Sequence, residues 1–137
     1  CPLVYSGYNI VNQAGKCLRY QNVPEKASYD DLLRSCSIGC LTVVLNLSIT
    51  GKVYMPLIKK RQDFALWLKV LRKHGIARGM NIPLANYRIG RSSISSNKLK
   101  VIKYQWKTYF EIERLGIWKS LYFMCHWAIN GFKKHYF

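Results

Sequence analysis

The stretch from Gly51 to Met80, GKVYMPLIKKRQDFALWLKVLRKHGIARGM, limits the fold more than any other part of the chain. Within it Phe64, Trp67, Leu68 and Leu71 fall at i, i+3, i+4 and i+7, the spacing of one face of an α-helix, while Lys69, Arg72 and Lys73 collect on the other side. Gly75 follows a last turn carrying Arg72, Lys73 and His74; those charges suit the negative end of a helix, and glycine takes the positive φ of a helix stop at little cost. Upstream, Val53, Met55 and Leu57 alternate with Lys52 and Tyr54, which predicts a short strand that Pro56 confines to an edge or an end. An apolar face with a basic back predicts a helix that packs on a sheet and shows cations to a partner.

On either side of this unit the pattern is mixed. Residues 1–27 hold Pro2, Gly7, Gly15 and Pro24 without a sustained period, and are predicted to be an extension with one short strand near Leu3 to Tyr8. Ser28 followed by Asp31 has the form of a capping box, and Asp30 and Asp31 sit where a helix dipole favours acids, so a helix is predicted to begin there. Its apolar stripe runs through Tyr29, Leu32, Leu33, Cys36 and Cys40, weakened by Gly39. From Thr42 the β-branched residues let strand compete with helix. Asn81 to Asn97, with Pro83, Gly90 and the tract RSSISSN, reads as a long loop with a strand at Tyr87 to Ile89. Lys98 to Trp106 alternates, and so does Tyr109 to Leu115, which predicts an antiparallel hairpin turning at Lys107-Thr108. Gly116 breaks it, a further strand is predicted at Lys119 to Cys125, and a basic aromatic tail runs from His126 to Phe137. The fold class is therefore α+β, an α-β-α-β-β domain with two helices on a short, mostly antiparallel sheet. It divides into an N-terminal extension (1–27), the domain proper (28–115) and a truncated C-terminal region (116–137).

Charge constrains function. The chain carries 22 Lys and Arg against 6 Asp and Glu, a formal net charge of +16. Such an excess repels itself unless a polyanion neutralises it, which implies nucleic acid or an anionic membrane surface as partner. No run of some eighteen apolar residues is present, since Thr42, Asn46 and Ser48 interrupt the longest candidate, so no membrane span is predicted. The five cysteines form no CxxC pair. Cys36 and Cys40, one helical turn apart, with Cys125-His126, offer a set of zinc ligands, but buried reduced thiols explain them as well, and no metal or cofactor is predicted. The start at Cys1 rather than Met predicts a processed product, a fragment or an unusual start. Abundant Lys, Ile, Asn, Tyr and Phe with little Ala is what A+T-rich codons produce, and points to an organellar gene.

The order of these segments resembles the N-terminal domain of the small-subunit ribosomal protein eight family, over roughly Ser28 to Phe123. Asp31-Leu32-Leu33-Arg34 is similar to that family's opening helix, and Met55-Pro56-Leu57-Ile58-Lys59-Lys60 to its Val-Pro-x-Ser-Lys-Leu pattern. Leu71 to Ile76 is similar to the end of its second helix, Ile102-Lys103-Tyr104 to a Leu-Lys-Tyr strand, and Lys119 to Tyr122 to a basic strand. Ile58 stands where that family has Ser, its Arg-Asn dipeptide is missing, and its Ser-Thr-Ser-x-Gly signature is absent. The resemblance implies a divergent mitochondrial member, bound in the organelle matrix to small-subunit rRNA and neighbouring ribosomal proteins. The missing C-terminal domain would then be either lost or supplied by a separate chain.

RNA binding by shape needs cations spaced along a surface and flat side chains for unstacked bases. The candidate contacts are Lys59, Lys60, Arg61, Lys69, Arg72, Lys73, Arg88, Arg91, Lys119, Lys133 and Lys134, with Tyr104, Trp106, Tyr109 and Trp118 as stacking candidates or core aromatics. No nucleophile elbow or glycine-rich phosphate loop is present, and His74, His126 and His135 lie near no acid in sequence, so catalysis is not predicted. The sequence thus predicts a structural, non-enzymatic constituent of a mitochondrial small ribosomal subunit. The alternatives are an organellar intron-type nucleic-acid-binding protein or nuclease, and an accessory subunit of an organellar membrane complex.

Overall fold

The computed structural model describes residues 1–90 and 98–136, with side chains for all of these except Lys98 and 132–136. The predicted α+β class is what it shows: a small mixed sheet with helices against it. The central strand, β1 (Leu3–Val11), contains the short strand predicted near Leu3 to Tyr8, within the segment predicted to be an extension. It turns back through Asn12, whose Oδ1 accepts from the Lys16 N–H at 2.9 Å, into the antiparallel β2 (Cys17–Gln21). A two-residue strand, β3 (Lys26–Ala27), follows, and another, β4 (Val44–Leu45), pairs with the start of β1. The longest strand, β5 (Ala77–Arg88), runs parallel to β1 over most of its length and pairs with β3 only at Ala77 and Arg78.

Strand β5 occupies what the sequence suggested was mostly loop. Period and proline both argued against a strand, yet parallel pairing with β1 holds one edge of its backbone, and Ile82 and Leu84 stand exposed on it. Gly79 is needed there: its N–H donates to the Glu25 carbonyl at 2.9 Å, and a Cβ would collide with the Pro24 carbonyl. The strand predicted around Val53 to Leu57 does not form. Residues 51–61 run irregularly between α2 (Leu47–Thr50) and the central helix, because Pro56 has no N–H to give a ladder and Leu57 is fully exposed.

The two helices with local signals form where predicted. In α1 (Tyr29–Arg34) the Ser28 Oγ accepts from the Asp31 N–H at 3.2 Å, and Asp31 Oδ2 accepts from the Ser28 N–H at 3.0 Å and from its hydroxyl at 2.6 Å. The helix stops at Arg34, short of the stripe predicted to reach Cys40, because Ser35 takes an extended conformation and caps it. Hydrogen bonds from the Ser28 hydroxyl, then from its N–H, hold the Asp31 carboxyl below the usual range. Ser28→Ala is expected to cost about 0.5–2 kcal/mol at neutral pH. A depressed folded pKa contributes stability above the unfolded value and loses it as pH falls through the folded one. The gap between wild type and variant in urea melts should therefore narrow below about pH 3. A gap that holds constant into acid would show that the carboxylate plays no part in the cap.

Helix α3 (Gln62–His74) buries Phe64, Leu66, Trp67, Leu68, Val70 and Leu71, and ends at Gly75 with φ of 95°. Beyond β5 the predicted hairpin and further strand are replaced by helices. Lys98–Lys107 is α4, a π-helical turn spans Thr108–Ile112, and α5 runs from Ile117 to Tyr136, so Gly131 does not interrupt it. Leu99 and Val101 against Lys100, Ile102 and Tyr104 suggested period two. Burial instead falls on Gln105, Thr108 and Tyr109, the i, i+3, i+4 spacing of a helix. Tyr109 is the hub of this side. Its ring meets Phe64 edge-on at 6.1 Å and Phe123 at 6.2 Å, its hydroxyl donates to the Leu33 carbonyl, and burial pushes the phenol well above its ordinary pKa.

Candidate active site at the start of the central helix

The irregular segment 51–60 delivers the chain to Arg61, whose φ of 66° is left-handed. Such a backbone costs a non-glycine residue on the order of 1–2 kcal/mol. Side-chain contacts offset it. The Arg61 guanidinium lies 4.5 Å from the Phe64 ring centroid and 5.9 Å from that of Trp127, and its Nε donates to Gln105 Oε1 at 2.7 Å. One arginine therefore ties the start of α3 to α4 and α5. Arg61 Nη2, Gln105 Nε2, Trp67 Nε1 and Ser120 Oγ are buried without a hydrogen-bond partner among the described residues.

Two residues on, in the first turn of α3, Asp63 is half-buried, and its Oδ1 accepts from the Phe64 N–H at 2.8 Å. The 3₁₀ turn Cys40–Thr42 lies close by: partial burial pushes the Cys40 thiol up, and the Asp63 carboxylate pushes it further. The other five acids have different surroundings. Glu113, with its side chain 1% exposed, pairs with Arg72 Nη1 at 3.0 Å and accepts from the Tyr29 hydroxyl at 2.7 Å, an arrangement that raises the Tyr29 phenol well above its ordinary value. Burial is the largest cause of that rise, and the bond to Glu113 comes next. Glu111 pairs with Lys107 at 3.4 Å, Asp31 is held in the capping box, and Asp30 and Glu25 are exposed. Asp63 is thus the one half-buried carboxylate without an ion pair among the described residues, at the positive end of a long helix.

The predicted cations are dispersed. Lys69 and Lys73 are exposed on α3, Arg72 beside them turns to Glu113, and Lys119 is exposed on α5. Lys59 is exposed and Lys60 half-buried in the approach to α3, whereas the Arg61 guanidinium is committed inward. Arg88 Nη1 donates to the Gln13 carbonyl at 2.6 Å. Arg91 lies outside the described residues, as do the side chains of Lys133 and Lys134. Of the aromatics, Tyr109 is core, Trp106 stacks on Phe110 at 5.7 Å, and Trp118 is 84% exposed. All five cysteines are free thiols, and among the described residues no group of three or more His, Cys, Asp or Glu is placed to hold a metal. A shallow depression beside Asp31, lined also by Asn22, Lys26 and Arg34, lies at the start of α1 rather than at Asp63.

The sequence signal for Asp63 was only its place before the apolar stripe, which a helix-start acid explains without any chemistry.

No family model matches the chain. It is 34% identical over 135 residues, 98% of its length, to the UDP-Glc:alpha-D-GlcNAc-diphosphoundecaprenol beta-1,3-glucosyltransferase WfgD of Escherichia coli, of which it covers 52%. It is 34% identical over 116 residues to WfaP of the same organism, which bears the same activity name, covering 83% of this chain and 45% of that protein. To TuaG of Bacillus subtilis, whose name proposes a teichuronic acid biosynthesis glycosyltransferase, it is 44% identical over 135 residues, 98% of this chain and 54% of TuaG. These similarities overturn the ribosomal reading, and with it the rRNA and ribosomal-protein partners, the mitochondrial location, and the nuclease and organellar-complex alternatives. The expectation of a non-enzyme falls too, since these relatives are named as enzymes. The ribosomal resemblance rested on short segments whose structure differs from what it required: Ile102-Lys103-Tyr104 is helical, Lys119 to Tyr122 is helical, and Met55 to Leu57 is irregular. The chain is similar, from end to end, to about half the length of bacterial proteins named as glycosyltransferases.

Proposed function

We propose that this chain is part of a glycosyltransferase that moves a sugar from a nucleotide diphosphate donor to a hydroxyl of a lipid-linked sugar diphosphate. The observation that carries this reading is the similarity to WfgD over 98% of the chain. Forming a β-linkage from an α-linked UDP-glucose inverts the reacting carbon. The acceptor oxygen bonds to C1, the bond from C1 to the phosphate oxygen breaks, UDP departs with that electron pair, and the acceptor's proton needs a base. Asp63 suits the role of that base, being a carboxylate that is half-buried, in the first turn of a long helix, and without an ion pair among the described residues. Arg61 positions it by fixing the entry to α3 against α4 and α5. Lys59, exposed just upstream, is available to diphosphate oxygens.

The test is a chimera of WfgD in which this chain replaces the matching 135 residues. Given radiolabelled UDP-glucose and a GlcNAc-diphospho-lipid, the chimera is expected to label the lipid. A folded chimera that binds UDP-glucose but transfers nothing would sink the reading.

A further inference from the structure

Helix α5 has two apolar faces, and the fold uses one. Ser120, Phe123, Trp127 and Asn130 turn inward: Phe123 packs on Tyr109, Trp127 lies near Arg61, and the Asn130 side chain donates to the Arg34 carbonyl at 3.0 Å. Trp118, Tyr122, Cys125 and Ile129 follow at i, i+4, i+7 and i+11, a single stripe on the opposite side, with Leu121 along its border. This stripe is bare. Trp118 is 84% exposed, and Tyr122, Ile129 and Leu121 are each about half exposed. A contiguous exposed apolar stripe of this length calls for a covering phase.

The surrounding charge identifies that phase. From Arg114 to Phe137 the sequence holds four cations and no acid, and Arg114 and Lys119 are exposed at the start of the helix. An interface with another protein would ordinarily mix acids with the lysines. An anionic bilayer matches both features at once, with headgroup phosphates for the cations and an interfacial layer in which tryptophan and tyrosine rings are at home. No helix among the described residues is long and apolar enough to cross a membrane, so the helix would lie in the interface plane.

We propose that the outward stripe of α5, from Trp118 to Ile129, docks this protein on the surface of an anionic lipid bilayer. The inference deepens the transfer reading, since it would hold the site at the level of a lipid-anchored acceptor, and it rests on that reading for this consequence alone. The test is co-sedimentation of the chain with vesicles of equal parts phosphatidylglycerol and phosphatidylcholine, and with vesicles of phosphatidylcholine alone. Binding is expected to the mixed vesicles and to weaken with salt. The double variant Trp118→Ser, Tyr122→Ser, with circular dichroism unchanged, should bind them about tenfold more weakly or worse. Absent binding to mixed vesicles at low salt, or equal binding by the variant, would overturn the proposal. So would a wild-type dimer in sedimentation velocity that the double variant abolishes, because a second copy would then be the cover. None of these readouts depends on sugar transfer, so each proposal fails separately.

Discussion

Asp63→Asn in the WfgD chimera is expected to lower the turnover number by roughly 10²–10⁴-fold, the usual contribution of a positioned general base. The substitution is close to isosteric, and its side-chain oxygen still accepts the Phe64 N–H that Asp63 Oδ1 accepts at 2.8 Å, so the helix start should hold. KM for the acceptor should change little, because the lost group acts on the proton in the transition state rather than on ground-state binding. Asp30→Asn is the control, since that residue is exposed in the first turn of α1. Steady-state kinetics with both substrates varied decides the matter. If Asp63→Asn keeps near wild-type turnover, the base lies elsewhere and Asp63 is only a helix-start acid.

Phe64→Ala is expected to have the largest effect on stability, about 3–5 kcal/mol. Phe64 is fully buried, meets Tyr109 edge-on and carries the Arg61 guanidinium over its face. Truncation opens a cavity, removes an aromatic pair and frees the contact that compensates the left-handed backbone at Arg61. For a domain whose net stability is on the order of 5–15 kcal/mol, such a loss leaves little. Phe64→Leu, which keeps much of the volume, should cost far less. Urea denaturation of the three proteins measures this. Equal midpoints for Phe64→Ala and wild type would show that the site is not a packed one.

What the sequence disclosed followed how local each signal is. The capping box at Ser28 and Asp31 and the stripe from Phe64 to Leu71 with its Gly75 stop are written within one or two helical turns, and both helices form there. Strand β1 was legible only as a short strand near Leu3 to Tyr8, because Tyr5, Ser6 and Gly7 are buried in succession and the alternation disappears. Helix α4 was missed because Leu99 and Val101 against Lys100 and Ile102 fit a strand, and only burial of Gln105, Thr108 and Tyr109 shows the helical period. The outward stripe of α5 was likewise hidden: divided between a strand and a tail, its residues do not line up. For the candidate site, the cations around Lys59 to Lys73 were visible, but Asp63 was not. Recognising it required knowing that the remaining acids are paired, capping or exposed.

The pairing of β1 with β5 also governs when this molecule takes shape. Val4 aligns with Arg78 and Val11 with Arg88, so the middle of the sheet joins two strands that lie far apart in sequence. The hairpin of β1 and β2 closes a short loop, whereas pairing β1 with β5 closes the much longer loop that contains α1 and α3. Folding should accordingly be slow for the size of the domain. Until Ala77–Arg88 has been made, the edge of β1 with which it pairs stays open, an interval in which that edge is accessible to chaperones.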